Sequence, residues 1–186
     1  MHDAAAPAPR PTRRFVRHAL VYGSLAGVLG GIWTIAEYAL GFQTERVEIG
    51  RWTSVAALVI PIGAVILGMM SWRNNVLGGR IRFAQAFAIA LAIGLVFSLI
   101  LGGTAWLQAA KLSPELVSRR IDQQAHAAAQ QPGADQEQIA RQAAAAKAQA
   151  TPGSYATVML TFSLMQSLFV GLIAAITVPK KQPGLE

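Results

Sequence analysis

AQAFAIALAIGLVFSLILGGTAWLQAA, from Ala84 to Ala110, carries no charged side chain along its whole length. At about 1.5 Å of rise per residue such a run reaches beyond the roughly 30 Å hydrocarbon core of a bilayer. A segment in lipid must satisfy its own backbone hydrogen bonds, which makes it helical, because barrel strands are shorter and alternate in polarity. Three further runs of this kind flank it: ALVYGSLAGVLGGIWTIAEYALG (Ala19 to Gly41), TSVAALVIPIGAVILGMMSW (Thr53 to Trp72) and SYATVMLTFSLMQSLFVGLIAAITV (Ser154 to Val178). The expected fold is all-α: an integral membrane four-helix bundle, with an extramembrane helical hairpin between the third and fourth helices.

Composition agrees. The chain is 53% hydrophobic and 13% charged, against about a quarter charged in an ordinary soluble domain, and the charges are segregated from the apolar runs. The net charge of +7 raises nucleic acid as a partner. The basic residues, however, flank the runs as topology signals do, and no basic surface interleaved with aromatics is present to stack bases, so no nucleic-acid partner is expected. With no cysteine there is no disulfide, thiolate nucleophile or thiolate metal site. His2, His18 and His126 are scattered, so neither a metal nor another cofactor is expected. No Ser/His/Asp set or carboxylate pair stands at useful spacing, and the chain is not expected to be an enzyme.

The amino-terminal stretch 1–18 is rich in Pro, Ala and Arg and reads as a disordered basic tail. Arg13-Arg14 ahead of an apolar run resembles a twin-arginine export signal. The run is too long for a signal core of about 7–15 residues and lacks a cleavage pattern, so a retained anchor is expected. The connector WRNNVLGGRIRF (Trp72 to Phe83) has Gly78-Gly79 for a tight reversal, with Arg73, Arg80 and Arg82 as topology and lipid-headgroup residues. These three share a side with Arg10, Arg13, Arg14, Arg17, Lys180 and Lys181. Arg46, Arg51, Lys111, Arg119, Arg120, Arg141 and Lys147 are spread over a longer stretch on the other. That bias places both termini, including the 179–186 tail, in the cytoplasm of a bacterial inner membrane. Tyr22, Trp72 and Phe83 fall at the inner interface, and Tyr38, Trp52, Trp106 and Tyr155 at the outer. Trp33 sits mid-helix and reads as packing.

Segment 111–153 differs from the rest, being dominated by Ala and Gln between Ile121 and Thr151. It reads as two solvated helices in the periplasm. Ser113 is the expected N-cap of the first, followed by Pro114; QPGAD (Gln131 to Asp135) breaks the run, and Asp135 with Gln138 resembles a capping box. The hairpin either caps the bundle or docks a second copy or another envelope protein. Small residues recur every four positions at Gly23, Gly27, Gly31, then Ala86, Ala90, Gly94, Ser98, Gly102, then Ser163, Ser167, Gly171, Ala175. Such ladders let helix backbones approach closely in lipid, and they are expected to meet within one bundle. Pro61 predicts a bend in the second helix.

The stretch GGRIRFAQAF (Gly78 to Phe87), a polar helical pair opening with SPELVSRRIDQQ (Ser113 to Gln124), and a last helix MLTFSLMQSLFVGLIAAI (Met159 to Ile176) followed by basic residues resemble domain-of-unknown-function family 4199. The resemblance spans roughly Arg14 to Lys181. It implies four membrane helices with an extramembrane helical segment between the third and fourth, and it implies no activity, catalytic residue or cofactor.

Two polar residues inside the runs stand out. Glu37 is the one charged residue within any of them and lies toward the outer interface, where Arg46 or Arg51 would be its partners. Gln166 is mid-helix, poised to hydrogen-bond across the bundle. The function expected first is that of a structural or accessory membrane protein, acting through helix packing and the outer hairpin, with the bilayer as its surroundings. The alternative is a small transporter or channel using Glu37, Gln166 and the Pro61 bend.

Overall fold

The computed structural model describes residues 11–42 and 46–177. Helix α1 spans Pro11–Ala39, α2 Val47–Ala57, α3 Val59–Asn75, and α4 Phe83–Leu107, which runs on into a π-helical turn at Gln108–Leu112. Helices α5 (Leu116–Ala129) and α6 (Gln136–Ala148) form the hairpin, and α7 (Pro152–Thr177) closes the chain. No strand occurs among the described residues. α2 and α3 count as one membrane-length rod, so four rods are long and apolar enough to cross a bilayer. They alternate in direction, with a hairpin end and, opposite it, a loop end at Asn75–Phe83. The molecule is an all-α membrane helical bundle.

Helix α4 is the central rod, packed against α7, α1 and α3. Small residues decide this. A Cβ at Gly23, Gly27 or Gly31 would fall 2.6 Å from Val96, 2.7 Å from Ile100 or 2.9 Å from Thr104, so side chains one turn apart on α4 fill the groove of α1. On its other side Gly94 faces Ser167, Gly102 faces Leu160, and Gly171 of α7 faces Ala90. Apolar lipid gives helices little drive to associate, and close backbone contact of this kind replaces it. The ladders meet within the one chain. The opposite faces expose Leu25, Ile32, Leu67, Leu99, Phe162 and Phe169, as a bilayer solvent permits and water does not.

Two apolar clusters hold the ends. Val65, Met69, Trp72, Ile89 and Ile93 lie in the larger one, toward the loop end. The smaller joins Ala105, Ala109, Leu116 and Tyr155 at the hairpin end, so that α5 is held to the bundle by buried Leu116 with Val117 beside it. At the loop end Gly78 (φ 63°) and Gly79 (φ 90°) make the reversal in the left-handed region that glycine tolerates. The Arg82 backbone N–H then donates to Gln85 Oε1 at 3.1 Å to open α4. Arg80 and Arg82 are exposed there, and Arg73 is half-buried.

Two local expectations shift and one holds. Helix α1 begins at Pro11, inside the stretch read as a tail. Arginine is a good helix former, and Phe15 and His18 pack edge-on against Trp72 at 5.6 and 5.2 Å, with His18 Nε2–H donating to the Gly68 carbonyl at 2.8 Å. Arg10, Lys180 and Lys181 and the remainder of both tails lie outside the described residues. Ser113 is not an N-cap: its carbonyl accepts from Leu116 N–H in a turn, and α5 starts at Leu116 without a side-chain cap. Asp135 does cap α6, accepting from the N–H groups of Glu137 and Gln138, both at 3.0 Å. α5 and α6 are tied together by Lys147 and Asp122.

Candidate functional site

Pro61 has no N–H to give the Ala57 carbonyl four residues back, and the second rod breaks at Leu58, between α2 and α3. Beside this interruption lies a cavity of about 190 Å³. Its wall comes from six helices: Gly30, Trp33, Thr34 and Glu37 of α1; Ser54 and Ala57 of α2; Ile60 and Pro61 of α3; Phe97 and Leu101 of α4; Arg120 of α5; and Met159, Phe162, Ser163 and Gln166 of α7, with Leu58 at the break. The cavity lies between the two apolar clusters, where no large side chain fills the space.

Glu37 is 7% exposed. Its donors among the described residues are neutral: Trp33 Nε1–H at 3.1 Å and the Thr53 hydroxyl at 2.6 Å to Oε1, with the Ser54 hydroxyl 3.4 Å from Oε1 and 3.5 Å from Oε2. The carboxyl group therefore joins α1 to α2 and leaves Oε2 with little satisfied capacity. Arg46 and Arg51 are not among these donors. The basic residue sharing the cavity is Arg120, fixed with its guanidinium carbon 5.4 Å from the Tyr155 ring centroid, a cation–π distance. Across the cavity the Gln166 Nε2 atom is buried and has no hydrogen-bond partner among the described residues. Ser163 and Thr34 spend their hydroxyls on helix carbonyls, of Leu160 and Gly30.

Glu37, Gln166 and the Pro61 break, far apart in the chain, thus line one cavity. Trp33, read from the sequence as packing, both donates to Glu37 and walls the cavity. Arg120 carried no signal in the sequence, standing among exposed charges on an Ala/Gln helix. Arg73, Arg80 and Arg82 lie at the opposite end. Gly23, Gly27, Gly31, Gly94, Gly102 and Gly171 serve the helix contacts described above. Among the described residues no group of three His, Asp or Glu stands close enough to hold a metal.

The model of the family described as protein of unknown function (DUF4199) matches residues 21–179. The chain belongs to the DUF4199 family. No curated protein and no solved structure matches it. Membership of DUF4199 together with four membrane-length apolar helices makes this a membrane protein, and the family description assigns it no activity.

Proposed function

We propose that this DUF4199 protein is a multi-pass protein of a bacterial inner membrane, with both termini cytoplasmic and segment 111–153 periplasmic, and that it takes a small ligand into the Glu37 cavity. The observation that carries this reading is one cavity walled by a buried carboxyl group, a buried amide N–H without a partner among the described residues, and a helix interrupted before a proline. Polar groups are costly within a bilayer and, where found, mark ligand or ion paths. Helices broken next to such a cavity are the usual way membrane proteins combine a polar site with a spanning rod. Binding, as the first step of transport or sensing, therefore ranks ahead of a purely structural role.

The chain has no cysteine, so single substitutions report access without interference. Ala57→Cys, on the cavity wall, is expected to react with a small charged methanethiosulfonate added from the hairpin side of sealed vesicles, while lipid-facing Leu99→Cys does not. Equal silence at both positions would remove the ligand reading. The accessory reading keeps one observation of its own: no residue of α6 is buried, leaving that helix available to a partner or second copy. Photo-crosslinking from Ala144 in native membranes checks it, and recovery of the monomer alone would count against it.

A further inference from the structure

Glu37 forms no ion pair among the described residues: its partners are an indole N–H and two hydroxyls, all neutral. They crowd onto Oε1, and Oε2 receives only the Ser54 hydroxyl, at 3.5 Å. Arg120, the basic residue of the same wall, is committed elsewhere. Its guanidinium carbon lies 5.4 Å from the Tyr155 ring centroid, and it has a further interaction of its own. A second open polar group is the Gln166 amide, whose buried Nε2 has no hydrogen-bond partner among the described residues. The rest of the wall is mainly aromatic and aliphatic, with Trp33, Phe97, Leu101 and Phe162.

These features select among ligand classes. An anion would set like charge against Glu37, and its oxyanion would need a basic partner where the guanidinium is already engaged. An uncharged molecule would leave a carboxyl group among the membrane rods without a countercharge. A metal ion is poorly served, because hard cations take several oxygen ligands and the described wall offers one carboxyl group amid apolar side chains. An organic ammonium answers the same wall. Its N–H groups donate to the open Oε2, and Glu37 balances its charge. Trp33, tied to the same carboxyl group through its indole N–H at 3.1 Å, sets an aromatic ring beside that charge. Gln166 Nε2 then calls for an acceptor on the ligand's body, since a buried donor left unmade is costly. We propose that the cavity holds a small apolar amine in its ammonium form that also carries an oxygen acceptor: the ammonium at Glu37 Oε2, an ether, hydroxyl or carbonyl oxygen at Gln166 Nε2, and the apolar body against Trp33, Phe97 and Phe162. The inference rests on the cavity being a ligand site and adds the ligand's charge and its acceptor.

The test uses the full chain carrying Ala57→Cys in nanodiscs of phosphatidylcholine, and reads how far a compound slows the reaction of that thiol with methyl methanethiosulfonate. Protection at the cavity wall separates binding there from solution of the compound in the bilayer. Four probes of one size are compared: 2-phenoxyethylamine, with ammonium and ether; 3-phenylpropylamine, which lacks the ether oxygen; 2-phenoxyethanol, which lacks the charge; and phenoxyacetate, which reverses it. The first should protect at a concentration at least tenfold lower than the alcohol and several-fold lower than 3-phenylpropylamine, and phenoxyacetate should not protect. Glu37→Gln should bring 2-phenoxyethylamine to the level of the alcohol, and Gln166→Leu should make the two amines equal. Damage to the fold would weaken all the compounds alike and produce neither pattern. If either variant fails to elute as a single species, the compound series on the Ala57→Cys chain decides. The alcohol or phenoxyacetate protecting as well as the amine would overturn the ammonium and leave the cavity reading standing, as would a reactive thiol that no probe protects. A thiol that does not react at all removes the cavity reading and this inference with it.

Discussion

Gly27 of α1 and Gly103 of α4 differ in what surrounds them. A Cβ at Gly27 would sit 2.7 Å from Ile100, whereas Gly103 has nothing within 4 Å. Gly27→Val should therefore push α1 off α4 and destabilise the bundle by about 1–3 kcal/mol, as overpacking does. Gly103→Ala should be neutral or stabilise by roughly 0.5–1 kcal/mol through helix propensity. Thermal unfolding in detergent reads both. Glu37→Leu takes the acceptor from the Trp33 indole N–H, while the Thr53 hydroxyl keeps the Gly50 carbonyl at 3.2 Å, for a loss of about 0.5–1.5 kcal/mol; Glu37→Gln keeps an oxygen at Oε1 and should lose less by the same measurement. Glu37 was legible in the sequence because a charge inside an apolar run is conspicuous. Its partners were not. An indole N–H one turn back and two hydroxyls on another helix look, letter by letter, like ordinary packing residues.

The break at Leu58 belongs to the rod formed by α2 and α3, and Pro61 foretold it because a missing backbone donor is a local property. What the missing donor opens is not local. Pro61→Ala should restore a continuous helix from Val47 to Asn75 and reduce labelling of Ala57→Cys several-fold; unchanged labelling would detach the cavity from the proline. The hairpin depends on a different contact. Leu116 is 1% exposed beneath α5, and α6 touches the bundle through α5. Leu116→Ala should cost about 2–5 kcal/mol locally and release the hairpin, seen as faster limited proteolysis near Gln131–Ala134 with the membrane rods intact. Helix starts read from apolar composition fell short where polar residues continue a helix, at Pro11 and Val47, and the N-cap expected at Ser113 is absent. There the π-helical turn carries α4 as far as Leu112 and leaves no room for an N-cap turn.

Across the molecule, the alternating rods put the α5–α6 hairpin and the start of α1 at opposite ends. In sealed, right-side-out vesicles an impermeant maleimide should label Ala144→Cys and spare Thr12→Cys, with the pattern reversed in inverted vesicles. Labelling of both from one side would overturn the proposed threading. The number of rods, their order and the polar character of the hairpin were all readable from the letters alone, because the free energy of placing a side chain in lipid or water belongs to each short segment by itself. The meeting of Glu37 with Arg120, Gln166 and Trp33 was not readable. It arises from the glycine groove that seats α1 on α4, the cavity beside the interrupted rod, and the contacts of Leu116, Val117 and Arg120 that hold α5 at the opening. Contacts of that kind depend on how distant surfaces fit, and no individual segment carries the information.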